Sequence, residues 1–364
     1  MFLIVTRNFP PEIGGIQTLM GGLAKSLLRH GPVKVFAFDS NNSATFDKNS
    51  SMNIERVKGI KLFRKYRKAN LVNSFITNNN IRAIITDHWK SLEILKLENI
   101  KKTKTFCLLH SKEINHEINS NLNKRLIKST NKADFIIANS NFTKNLAIRV
   151  GIDSSKISVI FPGIFEPKDI LNSSQIEASR LFSESFPKII TVARLDKRKG
   201  HDKILMSIKN LKQIFPKIKY ISIGSGEEEK NLLKLVKELK LEKETAFLSN
   251  IKDTLKDALV AESNLFLMPS RIEKRSVEGF GIAFVEAASY GVASIGGKDG
   301  GSSDAIKHNV TGLICDGNDL SSVYDSINTF FQNDNYITYG KNAKKNSEFF
   351  YWNKIIKNYL KLIN

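Results

Sequence analysis

Lys188-Ile189-Ile190-Thr191-Val192-Ala193-Arg194-Leu195-Asp196-Lys197-Arg198-Lys199-Gly200 is the stretch on which the fold turns. A β-branched run ends in a polar loop closed by glycine, and the amphipathic segment Asp202–Phe215 follows. A second apolar run, Lys219–Ile223, comes next. These signals predict strand, loop, helix and strand, the unit from which parallel sheets are assembled. The unit recurs in both directions along the chain. Strands are predicted upstream at Phe2–Thr6, Val33–Phe38, Arg82–Thr86, Thr105–His110, Phe135–Asn139 and Ile157–Phe161. Downstream they fall at Thr245–Leu248, Leu265–Met268, Val292–Ile295 and Gly312–Cys315. Helical patterns intervene at Gln17–His30, Asn121–Thr130, Glu227–Leu239 and Gly281–Tyr290. Such alternation, run twice, predicts an α/β chain of two doubly wound domains. The boundary is placed after Pro162-Gly163, where Pro167, Pro187 and Asn172-Ser173-Ser174 mark a linker through residue 187. Ligands of open parallel sheets bind beyond the carboxyl ends of the strands, so the cleft between two such domains is the expected site.

Composition agrees with two folded domains. The chain has 364 residues, 41% of them hydrophobic, with two Trp and 23 Phe. Cys107 and Cys315 are the only cysteines, which excludes a disulfide framework and fits a reducing, cytosolic compartment. The apolar Met1–Val5 is too short for a signal peptide, and no apolar run approaches the ~18 residues of a membrane span.

The net charge of +20 is unevenly placed. Residues 1–165 carry 26 Lys/Arg and 11 Asp/Glu, hence +15, while the rest carries 30 and 25, hence +5. This asymmetry predicts an anionic surface or ligand for the first domain. Nucleic acid is one such partner. No helix-turn-helix, RNP-type or zinc-finger signature is present, and none is expected to bind. The densest basic run is Arg56–Lys68, with seven cations and no acid. Read as an amphipathic helix, it predicts contact with an anionic membrane surface through Lys61, Arg64, Lys65 and Lys68.

The chemistry concentrates at strand-to-helix turns. Glu278-Gly279-Phe280-Gly281-Ile282-Ala283-Phe284-Val285-Glu286 holds two carboxylates eight residues apart around a Gly-x-Gly turn. A helix starting near Gly281 presents free N–H groups and a dipole to an anion. Carboxylates beside a phosphate site suit a ligand that also carries hydroxyls, such as a nucleotide sugar. Arg194 and Lys199 follow a strand and are placed to neutralise a leaving diphosphate, although a solvated basic loop is an equal reading of that segment alone. Gly14-Gly15 precedes the first helix, where backbone can approach a phosphate or simply turn. The dinucleotide and Walker fingerprints are missing there, which disfavours NAD and ATP. His110 closes a strand, a position expected to face the cleft and a bound sugar, although a lone histidine also reads as a satisfied polar group. Gly224, in Ile223-Gly224-Ser225-Gly226-Glu227, marks another strand-to-helix turn, which either closes a nucleotide pocket or is purely structural. No ligand spacing among histidines or acids suggests a metal, and none is expected.

Together these residues resemble the retaining nucleotide-sugar glycosyltransferases of the GT-B type, group 1 and family GT4, over nearly the whole chain. Glu278 and Glu286 around Gly279-Phe280-Gly281 carry most of the resemblance, followed by Arg194 and Lys199, Gly14-Gly15 and His110. Asn8–Gln17 and Met268-Pro269-Ser270-Arg271 look most like the GDP-mannose-dependent phosphatidylinositol mannosyltransferases. The resemblance implies two Rossmann-like domains facing across a cleft: residues 1–165 for the acceptor, with helix 350–364 crossing back onto them, and 166–349 for the donor. It implies diphosphate contacts from Gly14 and Gly15 and a clamp of Arg194 and Lys199 with backbone near Phe280, Gly281 and Ile282. Glu278 would hold sugar hydroxyls, Glu286 the ribose, His110 the sugar near its anomeric carbon, and Gln17 the acceptor. The implied reaction moves mannose from GDP-mannose, or a hexose from a UDP-sugar in surface polysaccharide synthesis. The implied acceptor is a lipid or lipid-linked glycan at the inner face of the membrane, with no metal required. Ser111 departs from the family, standing where many members have Gly after the histidine.

Overall fold

Phe2-Leu3-Ile4-Val5 is buried along its whole length and has parallel neighbours on both sides, as an apolar central strand of an α/β sheet must. It belongs to the first of two units in the computed structural model, which describes residues 1–97 and 103–364. The units are Met1–Phe165 with Phe350–Asn364, and Glu166–Phe349.

In the first unit the strands are β1 (Phe2–Val5), β2 (Val33–Phe38), β3 (Asn53–Val57), β4 (Ala83–Thr86), β5 (Lys104–Leu109), β6 (Phe135–Ala138) and β7 (Ile157–Val159). They form one parallel sheet in the order β3-β2-β1-β4-β5-β6-β7. The second unit holds β8 (Lys188–Val192), β9 (Lys219–Ile223), β10 (Thr245–Leu248), β11 (Leu265–Met268), β12 (Ser294–Gly297) and β13 (Gly312–Cys315), ordered β10-β9-β8-β11-β12-β13. Both sheets are doubly wound. Their order reverses between β1 and β4 and between β8 and β11, the points where such folds hold ligands.

The elements differ from the sequence reading at several points, and the expected linker itself holds a helix, Asn172–Phe182, that buries Ser174, Ala178 and Phe182. Asn53–Val57 is a strand that was not expected: it lies at the sheet edge, holds three polar residues among its five, and is fully buried only at Val57. The strand expected at Val292–Ile295 runs instead from Ser294 to Gly297. The Val292 N–H is bonded to Ala287 O, in the closing turn of helix Ile282–Ser289, so the chain cannot enter the sheet earlier.

The last helix, Trp352–Ile363, belongs to the first unit. Its buried Trp352 lies against Gly22 of helix Gly15–Leu27 and against Gly163, and Tyr359 packs near Phe106 of β5.

Candidate functional site

The loop after β8 folds into a 3-10 turn, Lys197–Lys199, closed by Gly200 in the left-handed region (φ 76°). That turn directs two cations inward. Lys199 Nζ lies 2.5 Å and Arg198 Nη1 2.7 Å from the same oxygen, Glu278 Oε2. All three side chains are about nine-tenths buried, at 11%, 10% and 13% exposure. Burial alone would push the Glu278 carboxyl up, but the Lys199 and Arg198 charges hold it at about 2. Burial also moves Lys199 down from the ordinary lysine range, against the pull of Glu278. Among the described residues no group donates to Glu278 Oε1, so the carboxylate is pinned by one oxygen and keeps the other as an acceptor.

Arg194 takes a different position from the one expected of a clamp partner to Lys199. Its side chain is 70% exposed and its Nη2 lies 3.2 Å from Asp196 Oδ2. Asp196 in turn faces Arg198 Nη2 at 3.8 Å. The cation that sequence reasoning passed over is therefore Arg198, four residues along the same basic loop.

Gly281 caps helix Ile282–Ser289 with φ 86° and ψ 65°, a conformation that disfavours any side chain. A Cβ built there would stand 2.5 Å from the Phe284 ring. Phe280 and Phe284 are buried, and Phe284 packs edge-on to Phe266 of β11. These contacts fix the helix start at Ile282, in the same loop-to-helix segment after β11 that carries Glu278. Glu286 lies one turn further, half-buried. Burial raises its carboxyl above the usual range, Lys256 opposes, and Asp257 and Asp253 add to the rise. Gly224 follows β9, and its N–H bonds Leu248 O of β10. His201, not selected from sequence, is buried with Nδ1 2.9 Å from Tyr220 O–H and is lowered to about 4 by that burial. It is a structural histidine.

In the first unit, Gly14 and Gly15 stand where β1 passes into helix Gly15–Leu27, with Gln17 in its first turn. A Cβ on Gly15 would meet nothing within 4 Å. Arg56 holds this loop from below: it is bidentate on Asp47 and donates to Pro10 O. His110 follows β5. Its ring Nε2 lies 2.8 Å from Asp87 O and its backbone N–H bonds Glu113 Oε1 at 2.5 Å. Asp87 is buried after β4, where Oδ2 accepts from Thr6 Oγ1 (2.9 Å) and Arg7 N (2.8 Å), and Oδ1 from Ser91 Oγ (2.8 Å). Ser111, at the position where the family pattern has Gly, adopts φ 94°, a strained value for serine.

The basic run Arg56–Lys68 is not one helix. Arg56 and Val57 end β3, and helix Lys61–Asn78 begins after a turn. Lys68, expected at a membrane surface, is a correction: its side chain is buried at 2% exposure. Its Nζ donates to Thr6 O at 2.7 Å and sits 4.4 Å from the Phe38 ring. Burial lowers it to about 8, with Asp87 pulling the other way. Arg64 folds back over the Phe38 ring at 4.1 Å. Lys65 is exposed, and the side chain of Lys61 lies outside the described residues. Beside them Ile60, Leu62, Phe63 and Tyr66 are 74%, 68%, 64% and 52% exposed.

Among the described residues, no helix is long and apolar enough to cross a membrane, and no group of three or more His, Cys, Asp or Glu is placed to hold a metal ion.

Comparison with known proteins bears on both units. Residues 13–165 match the family profile described as Glycosyltransferase Family 4, and residues 172–347 that of Glycosyl transferases group 1. The chain is 24% identical over 344 residues to a GDP-mannose-dependent alpha-(1-6)-phosphatidylinositol monomannoside mannosyltransferase of Mycobacterium tuberculosis, covering 89% of this chain and 87% of that protein. It is 23% identical over 337 residues to a Corynebacterium glutamicum GDP-mannose-dependent monoacylated alpha-(1-6)-phosphatidylinositol monomannoside mannosyltransferase, with the same coverage of 89% and 87%. Among solved structures, Anabaena HepE in complex with UDP-glucose has a TM-score of 0.82 at 19% identity, covering 100% of this chain and 99% of that one. That likeness establishes the fold, two parallel-sheet α/β domains of the GT-B type.

Proposed function

The chain belongs to the group 1 and family 4 glycosyltransferases, nucleotide-sugar-dependent enzymes, and on that premise we propose that it transfers mannose from GDP-mannose to a lipid or lipid-linked glycan at a membrane surface. The carrying observation is the half-pinned carboxylate of Glu278. Two buried cations grip Oε2, and Oε1 stays open to accept from a sugar hydroxyl. The carboxylate that both cations grip precedes Gly281, the cap of helix Ile282–Ser289, by three residues, which supports one locus offering positive charge to a diphosphate and a carboxylate to the sugar it carries.

The chemistry asked of these residues is electrostatic. As the bond from sugar to diphosphate breaks, negative charge grows on the leaving oxygen and positive charge on the ring. Lys199, Arg198 and the exposed Arg194 stabilise the first, with the N–H groups of Phe280, Gly281 and Ile282. Glu278 holds the sugar hydroxyls and Glu286 the ribose. His110 contacts the sugar, Gln17 the acceptor, and Gly14, Gly15 and Gly224 allow close backbone approach.

Support for GDP-mannose comes from the two relatives named for it, and support for the membrane from the exposed apolar residues Ile60, Leu62, Phe63 and Tyr66 beside Lys65. Attachment at the inner face is part of the same proposal. The test is mass spectrometry of products from a panel of GDP- and UDP-sugars with lipid acceptors. Turnover confined to UDP-sugars would replace the mannose reading with the rival one, surface polysaccharide synthesis.

A further inference from the structure

Two loops of the second unit interlock: the one after β8, which carries Arg198 and Lys199, and the one after β11, which leads to Glu278. They meet at Arg271. Its backbone N–H donates to Arg198 O at 2.9 Å, so Arg198 is tied to the second loop at both ends, by its carbonyl here and by its guanidinium at Glu278. The Arg271 side chain, 13% exposed, reaches on to Asp202 in the first turn of helix His201–Leu211. There Nη2 donates to Oδ2 at 3.1 Å, and Nη1 lies 3.0 Å from Oδ1. An arginine fork on a carboxylate fixes orientation as well as distance.

The turn Lys197–Lys199 is followed at once by Gly200, which closes against Pro269: a Cβ on Gly200 would collide with Pro269 O. Its internal bonds, Lys199 N–H to Asp196 O at 3.0 Å and Gly200 N–H to Lys197 O at 3.3 Å, shape the turn without aiming it. Beyond Arg271 the chain doubles back in a tight hairpin, where Glu273 and Ser276 exchange backbone bonds of 3.0 and 2.9 Å. Val277 is then buried immediately before Glu278. Arg198 and Lys199 repel one another, so holding both on one carboxylate oxygen requires backbone that cannot relax. Arg271 supplies that constraint to both loops.

We propose that Arg271 is a positioning residue of this transferase: through Asp202 and the Arg198 carbonyl it locks the turn Lys197–Lys199, so that both cations stay on Glu278. It acts through Arg198 and Lys199 and touches no substrate itself. The effect on turnover rests on the donor site proposed above; the lock itself does not.

The test compares Arg271→Gln, Asp202→Asn, the double variant and the conservative Arg271→Lys in the full-length protein, with thermal unfolding to verify that each folds. Hydrogen–deuterium exchange reads the lock without substrate. Residues 194–200 are expected to exchange about tenfold faster or more in both single variants, the scale of one lost charged hydrogen bond. The flanking strands Lys188–Val192 and Lys219–Ile223 should keep their protection. The double variant should exchange no faster than either single one, because both changes break the same pair, and Arg271→Lys should fall between wild type and Arg271→Gln. In steady-state kinetics with the active donor, kcat of Arg271→Gln is expected to drop by about tenfold or more, with KM for the acceptor unchanged. Wild-type exchange of residues 194–200 in both single variants overturns the proposal. So does faster exchange with full kcat, or a lower unfolding temperature with exchange and kcat intact, which would make Arg271 a stabilising residue only. Failure of the wild type to use any nucleotide sugar counts against the donor reading instead, and the exchange result then decides the lock by itself.

Discussion

Arg198 donates to Glu278 at 2.7 Å, while Arg194, four residues earlier on the same loop, points into solvent and meets only Asp196. Arg198 therefore sets the orientation and charge of the carboxylate proposed to hold the sugar. Arg198→Ala is expected to lower kcat/KM by about 100-fold, the scale of losing a transition-state electrostatic contact. Arg194→Ala should act mainly through affinity for the diphosphate. Steady-state kinetics with the active donor separates the two, and normal turnover in Arg198→Ala would remove that residue from the site.

The same ion group makes stability depend on acid. Glu278 is held at about 2 in the folded state, below the 4.5 of an ordinary glutamate. A depressed carboxylate stabilises the fold fully above its ordinary value and loses that contribution as pH falls towards the folded value. Glu278→Gln should thus be less stable than wild type by about 3 kcal/mol at pH 7, from the size of the shift. The gap should shrink steadily from the ordinary glutamate range down to about pH 2. Urea unfolding across that range reads it directly. A gap independent of pH would mean that the loss came from packing instead of charge.

Much of this was legible in the chain. Short β-branched runs alternating with amphipathic ones can form only a few sheets, and Leu265–Met268 and Asn121–Thr130 stand as periodicity places them. What escaped depended on backbone direction. The basic loop after β8 was plain, yet only the 3-10 turn at Lys197–Lys199 decides that Arg198, not Arg194, faces Glu278. Lys68 sits in a run of seven cations and reads as surface. Its burial requires Asp87 and the Thr6 carbonyl, both distant in sequence, to converge on it. The edge strand Asn53–Val57 lacks the continuous apolar run that marks its buried neighbours.

Gly281 is expected to tolerate no side chain. Gly281→Ala places a Cβ in the left-handed region and against the Phe284 ring, itself 1% exposed and unable to move aside. The strained backbone costs about 1–2 kcal/mol and the overpacking about 1–3 more. Thermal unfolding should show the loss, and calorimetry should show weaker nucleotide binding because the helix start is displaced. Wild-type stability would mean that the helix cap is not held as described.

Membrane attachment, if it runs through the start of helix Lys61–Asn78, must use exposed groups. Leu62, Phe63 and Tyr66 are more than half exposed, and Lys58, Lys65 and Arg67 lie around them. Cations near an anionic surface contribute about 1 kcal/mol each. Lys58→Gln with Arg67→Gln should therefore reduce partitioning onto anionic vesicles on the order of tenfold or more, and Phe63→Ser should reduce it further. Lys68→Gln should behave differently. Its ammonium is bonded to Thr6 O and balances buried Asp87, so the substitution lowers the unfolding temperature while a folded sample keeps its vesicle affinity. Vesicle flotation alongside thermal unfolding distinguishes these outcomes. Full flotation of the Lys58 and Arg67 double variant and of Phe63→Ser would show that this surface does not hold the membrane.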